Sequence, residues 1–206
     1  MIKTLNNESK NPMATFVFAH GAGAGQNSEF MQLMAEGISQ HNIKVLRFNF
    51  AYMQLAEELG KRRPPDRADK LLAHFKTVLS EVDHSLPLFI GGKSMGGRMA
   101  SMLLQESIAL GCICMGYPFH PPGKPEKLRT EHLEVINKPV LILQGERDTF
   151  GTREEVATYK LSEKVQLSYL ADGDHSFKPR KSSGFTIDGH LNQAITQTAE
   201  FIKSHI

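Results

Sequence analysis

Short apolar runs alternate with amphipathic stretches along nearly the whole of this sequence, and that alternation dictates what the chain can fold into. Residues 15–19, 43–50, 87–92, 112–115, 140–144 and 165–170 read as buried strands, and residues 3–5 as a weak edge strand. Between them lie helical stripes. Phe30, Met31, Met34 and Ile38 share one face of a helix that Asn27 or Ser28 can cap. Ala68, Leu71, Leu72, Phe75, Val78, Leu79 and Val82 form a second stripe on a helix starting at Asp66. Further helices are expected over residues 95–108 and 152–159, and a last one from Asp188 carries Leu191, Ala194, Ile195, Thr198, Phe201 and Ile202 on one face. Residues 51–65 read as irregular, because Gly60 and the Pro64-Pro65 pair break any helix there. Strands alternating with helices imply right-handed crossovers. The expected fold is therefore α/β: a three-layer sandwich with a mostly parallel sheet of about six or seven strands and helices on both faces.

Two hundred and six residues suffice for one domain with a sizeable core and are too few for two, so residues 1–206 read as a single domain. A formal net charge of +2 and scattered Lys and Arg favour neither nucleic acid nor an acidic polymer as partner. The short clusters Lys61-Arg62-Arg63 and Arg180-Lys181 read as solvated loops. No apolar run reaches the ~18–20 residues that span a bilayer, and the polar N-terminal segment lacks the apolar core of a secretory signal. Cys112 and Cys114 sit two apart in one strand, which suits two buried thiols on the same face better than a bridge. A cytoplasmic location is the expectation.

In sheets of this kind ligands bind beyond the carboxyl ends of the strands, so the chemistry should lie just after each strand. After the third long strand comes Gly92-Lys93-Ser94-Met95-Gly96, a Gly-x-Ser-x-Gly turn into a helix. A serine on so tight a turn is held in a strained backbone and points away from the sheet, and small residues two positions to either side avoid collision with the neighbouring strand and helix. After the first comes His20-Gly21-Ala22-Gly23-Ala24-Gly25, whose glycines let backbone approach a substrate oxygen. The backbone amides of Ala22 and Met95 are assigned to an oxyanion hole, and His20 to bracing the loop. After the fifth comes Asp148, chosen as the acid over Glu146 because it lies further beyond the strand end; capping the next helix is its alternative role. After the sixth comes His175, with Asp172 and Asp174 as adjacent rivals for the acid. Ser94, Asp148 and His175 follow the chain order expected of such a site. Tyr117, Phe119 and His120 are expected either to line the acyl or leaving-group side or simply to pack their loop.

Other readings fail on spacing. A phosphate-binding loop ending in Gly92-Lys93-Ser94 needs a glycine where Pro87 stands, and the intervening residues form the strand itself. A dinucleotide fingerprint at Gly21 needs a third glycine where Gln26 stands, and the next strand ends in Arg47-Phe48-Asn49 without an acid for a ribose. The nine histidines show no metal-ligand spacing. No cofactor and no metal are expected.

Seven segments together resemble the α/β-hydrolase superfamily: residues 20–23 (His-Gly-Ala-Gly), 47–50 (Arg-Phe-Asn-Phe), 63–66 (Arg-Pro-Pro-Asp), 91–98 (Gly-Gly-Lys-Ser-Met-Gly-Gly-Arg), 116–120 (Gly-Tyr-Pro-Phe-His), 144–148 (Gln-Gly-Glu-Arg-Asp) and 173–176 (Gly-Asp-His-Ser). They are similar in detail to a small cap-less branch that includes testis-expressed protein 30 and bacterial hydrolases distantly related to dienelactone hydrolase. The resemblance implies a triad of Ser94, Asp148 and His175. The interval after the fourth strand is too short for a separate cap domain, so the site should be open. The expected activity is hydrolysis of a small-molecule ester, thioester or amide through an acyl-enzyme. The rival from another class is a binding module that keeps the fold with an inert site. Oligomeric state is left open.

Overall fold

The computed structural model of the chain describes residues 3–206. Seven strands form one sheet: β1 (Thr4–Asn7), β2 (Ala14–Ala19), β3 (Ile43–Phe48), β4 (Leu88–Lys93), β5 (Gly111–Met115), β6 (Val140–Gly145) and β7 (Val165–Leu170). Their spatial order is β1-β3-β2-β4-β5-β6-β7. Only β1, the edge strand, runs antiparallel, pairing Thr4 with Phe48; every other neighbouring pair is parallel. The chain thus starts at the antiparallel edge, enters the parallel part at β2, lays β3 between β2 and β1, and then crosses back to add β4 to β7 in order on the other side.

Seven helices cover the sheet: α1 (Glu29–Ser39), α2 (Ala51–Leu59), α3 (Ala68–Glu81), α4 (Met95–Leu103), α5 (Glu131–Val135), α6 (Arg153–Val156) and α7 (Ile187–Lys203). Parallel register carries one row of side chains across the strands: Leu46, Val17, Ile90, Cys112 and Val140 stand side by side. That row meets Leu71, Phe75 and Val78 of α3 and Met99 and Leu103 of α4 in one core. The alternate residues, among them Phe16, Val45, Phe89 and Ile113, meet Met31, Met34 and Ile38 of α1 and Ala194 and Ile202 of α7 in a second core. Two cores, one per face, make the three-layer sandwich. They also explain why the inner strands read as continuous apolar runs: all six residues of β2 are buried.

Several boundaries differ from the sequence expectation. Residues 51–59 are helical after all. Gly60, in the left-handed conformation at φ 61°, ends α2 instead of preventing it. β3 stops at Phe48, and Asn49 and Phe50 lead into α2. α4 ends at Leu103 and tightens into a single turn of 3-10 helix over Leu104–Glu106. Thr152, not Asp148, caps α6, in a reciprocal box with Glu155. Cys112 and Cys114 are free thiols on one face, 3.7 Å apart, and burial pushes the Cys112 thiol up. Between β5 and β6 only a loop and the short α5 intervene, so no cap domain covers the carboxyl edge. No described helix is long and apolar enough to cross a membrane.

Candidate active site

β4 delivers Ser94 to the middle of the carboxyl edge. Its backbone sits at φ 49°, ψ −115°, a conformation seldom adopted by a residue with a side chain. The turn holds because Ser94 N–H donates to Met115 O at 2.9 Å and Arg98 N–H to Ser94 O at 3.0 Å. The flanking glycines are required by close approach. A Cβ at Gly92 would stand 2.5 Å from Ala19 O, and one at Gly96 2.4 Å from the same oxygen.

Three side chains from distant segments form one hydrogen-bonded chain at this edge. Ser94 Oγ lies 2.9 Å from His175 Nε2, and His175 Nδ1 lies 2.7 Å from Asp148 Oδ2. Asp148 is fully buried, and its lone pairs are engaged on both oxygens. Oδ1 accepts from Phe150 N–H at 2.9 Å, and Oδ2 accepts from Gln144 Nε2 at 2.9 Å as well as from the imidazole. A carboxyl group so surrounded by donors is fixed in place as an acceptor towards the ring. It therefore makes Nδ1 the protonated ring nitrogen and leaves Nε2 as an acceptor for the serine hydroxyl. The Phe150 ring packs on the imidazole at 4.3 Å between centroids.

The rival acids are spoken for elsewhere. Asp174 Oδ1 accepts from the amides of Ser176 and Lys178 at 2.8 and 3.0 Å, bracing its own loop. Asp172 pairs with Arg180 and, at 3.0 Å, with Arg147. Glu146 bonds the Asp172 amide at 2.9 Å and Arg153 at 2.6 Å. These bonds hold the Asp172 and Glu146 carboxyls below the usual range.

The loop after β2 is held from two sides. Tyr52 Oη donates to Ala22 O at 3.1 Å. His20 Nε2 accepts from Phe50 N–H at 3.0 Å, and its Nδ1–H donates to Gly21 O at 2.6 Å. Both nitrogens are thus committed in the neutral ring, as a brace requires. Among the described residues, neither Ala22 N–H nor Met95 N–H donates to a backbone carbonyl; Met95, at the first position of α4, has no partner within its helix.

Tyr117, Phe119 and His120 do not reach this site. All three are buried: Tyr117 and Phe119 pack ring-to-ring at 4.8 Å in the core shared with α3 and α4, and His120 bonds Pro121 O within its own loop. Loop packing, the alternative, is what they do. The cleft of about 400 Å³ around Ser94 is bordered instead by Phe30, Lys93, Phe150 and Ser176, together with the loop after β2. Lys93 and Gln144 are the residues that sequence reasoning passed over. Lys93 Nζ donates to His175 O at 2.6 Å and lies near the Phe30 and Phe177 rings, tying the histidine loop to the serine turn. Burial pushes its ammonium down to about 8. Gln144 bonds Asp148 and both sides of Tyr117's backbone. It had a signal in being the only polar residue of the run Val-Leu-Ile-Leu-Gln. Among the described residues no group of three or more His, Cys, Asp or Glu could hold a metal ion.

One buried histidine and one half-buried one contribute to the acid limb of stability. Burial holds His20 and His132 down to about 4 from an ordinary 6.5. The unfolded chain takes up those protons near pH 6.5 and the folded chain only near 4. Their contribution is therefore complete above 6.5 and lost as pH falls towards 4. Thermal melts should show a lower midpoint at pH 5 than at pH 7, and His132→Gln should narrow that difference. An undiminished difference in the variant would show that His132 is not held neutral.

Comparison with known proteins agrees with the architecture. Residues 12–203 match the family model of the alpha/beta hydrolase domain. Dienelactone hydrolase from Anabaena variabilis is similar in structure, with a TM-score of 0.75 at 18% identity over 100% of this chain and 92% of its own. A serine hydrolase without lid from Xanthomonas campestris has a TM-score of 0.69 at 14% identity, over 99% of this chain and 87% of its own. An esterase from Pyrococcus furiosus has a TM-score of 0.70 at 16% identity, over 100% and 91%. At these identities the likeness speaks for the fold. The match to the family model spans nearly the whole sequence, and this chain belongs to the alpha/beta hydrolase domain family.

Proposed function

We propose that the chain is a serine hydrolase that cleaves small-molecule esters through an acyl-enzyme. The observation that carries this reading is the continuous hydrogen-bonded chain from Ser94 Oγ through His175 to Asp148. In the mechanism, Oγ attacks the ester carbonyl carbon while His175 Nε2 takes its proton. Negative charge builds on the carbonyl oxygen, where the Ala22 and Met95 amides receive it; one such donor is commonly worth ~10²–10³ in rate. The imidazolium, stabilised by Asp148, returns its proton to the leaving oxygen as the carbon–oxygen bond breaks. Water then attacks the acyl carbon, giving its proton to Nε2, and the carboxylic acid departs as Oγ regains a proton. Esters are the substrate class because their leaving groups need the least help. The esterase named among the structural neighbours supports that choice.

A fluorophosphonate probe tests the reading without knowledge of the natural substrate. One adduct per chain is expected, at Ser94, absent in Ser94→Ala and strongly reduced in His175→Ala. Folded protein that takes up no label would favour an inert binding module instead.

A further inference from the structure

A second cavity adjoins the cleft around Ser94 across the loop after β2. A groove of about 440 Å³ also borders Ala22 and Gly23, the strip that separates it from the serine, and it continues over Lys61, Arg62 and Arg63. Each cavity is large enough for part of a small molecule, and their combined size is that of an ordinary ligand site.

The charge of the groove is one-sided. Three consecutive cations border it, and among the described residues none of them forms an ion pair. Glu57 is the one carboxylate along its described border, and its Oε1 lies against Gly25, 2.8 Å from where a Cβ would stand. The presentation is also stiff. α2 terminates at Gly60, Lys61 N–H is tied to Ala56 O at 3.1 Å, and Pro64 and Pro65 restrict the chain after Arg63. Less backbone freedom is lost when such a segment engages a ligand. Two adjacent guanidinium groups provide flat, two-pronged donors that match carboxylate and phosphate oxygens.

We infer that this groove is a subsite for an anionic group, so that the substrate is an ester bearing a carboxylate or phosphate away from the scissile bond. The inference rests on the hydrolase reading above. With the ester carbonyl at Ser94, the substrate passes over Ala22 and Gly23 and sets its anion among Lys61, Arg62 and Arg63. The charge raises the local concentration of such substrates and orients them across the strip. A short solvated cluster, as the sequence alone suggested, would have no reason to border the same strip as the serine.

Two matched pairs test this on the full chain. Mono(4-nitrophenyl) adipate against 4-nitrophenyl hexanoate places the anion on the acyl side; 4-acetoxybenzoate against phenyl acetate places it on the leaving group. In at least one pair the anionic ester should have kcat/KM about tenfold higher. That ratio should decline as salt is raised from 0.02 to 0.5 M (about 20 to 4 Å of screening length), and collapse in the Arg62→Glu, Arg63→Glu double variant. If that variant does not fold, Arg62→Gln, Arg63→Gln and the salt dependence of the native protein decide. Neutral esters turned over as well as both anionic ones, or a ratio that survives the charge changes, would overturn the subsite while leaving the hydrolase intact. Failure of all four esters together with absence of fluorophosphonate labelling would overturn both.

Discussion

Replacing His175 with alanine is expected to reduce turnover of a simple ester by ~10⁴–10⁶-fold, with little change in thermal stability. Among the described residues the imidazole is the only group within hydrogen-bond reach of Ser94 Oγ that can take its proton, and without it the hydroxyl is a weak nucleophile. Asp148→Asn should be nearly as damaging, by about 10⁴, for a reason readable from its neighbours. Oδ2 accepts hydrogen bonds from both His175 and Gln144, and Oδ1 from the Phe150 amide. An asparagine must put its NH₂ at one of these positions. Facing the histidine, it turns Nδ1 into an acceptor and leaves the proton on Nε2, where it blocks the transfer from serine; it also opposes the Gln144 amide. That amide cannot flip, since its oxygen accepts from Tyr117 N–H and its nitrogen donates to the Tyr117 and Gly151 carbonyls. Facing Phe150, the NH₂ strands a buried amide. Asp174→Asn is the control: it weakens two loop bonds and should cost less than about tenfold, as for a bracing contact that only displaces the histidine slightly. Initial rates on 4-nitrophenyl acetate decide. Retained turnover in Asp148→Asn with loss in Asp174→Asn would reassign the acid.

The sequence was most legible where local pattern and tertiary environment point the same way. The apolar run of β2 is buried on both faces, so its composition alone announces an inner strand. The stripe on α3 is likewise the face that meets the sheet. The Ser94 turn could be read because glycine is compulsory at Gly92 and Gly96, which leaves a pattern in the residues themselves. Sequence failed where one residue supports two outcomes. Gly60 breaks a helix, but a breaker says where a helix stops and not whether one precedes it; Ala51–Leu59 had helix-forming residues and only Tyr52 buried, too weak a stripe to detect. Tyr117 and Phe119 follow a strand end, as site residues do, yet their rings turn into the core. Strand position specifies where the backbone emerges, while side-chain direction depends on contacts from elements far along the chain. The tether from Lys93 to the carbonyl of His175 was hidden for the same reason: it spans 82 residues and leaves no periodic trace.

The second large effect concerns a methyl group with nowhere to go. A Cβ at Gly96 would stand 2.4 Å from Ala19 O, 2.6 Å from His20 O and 2.7 Å from Ala19 C. All three are backbone atoms, so no rotamer change relieves the contact. Either the start of α4 lifts from the end of β2, or β2 and the loop after it give way. Gly96→Ala should therefore cost about 3 kcal/mol, a fall of roughly 6–12 °C in Tm for a chain of this size. Stability and chemistry should fail together, because the displaced atoms lead directly into Ala22 on one side and Ser94 and Met95 on the other. Fluorophosphonate labelling should slow by about 10² even at temperatures where the variant is folded. Gly23→Ala provides the contrast. Its added Cβ meets nothing within 4 Å, and its backbone is outside the left-handed region, so its Tm should stay within about 1–2 °C of the native value. Differential scanning calorimetry of the two variants, side by side, separates a loop rich in glycine for mobility from a turn that is glycine because two backbones touch. Equal melting points would show that the elbow can relax, and that the close approach of α4 to β2 does not hold Ser94 in its strained conformation.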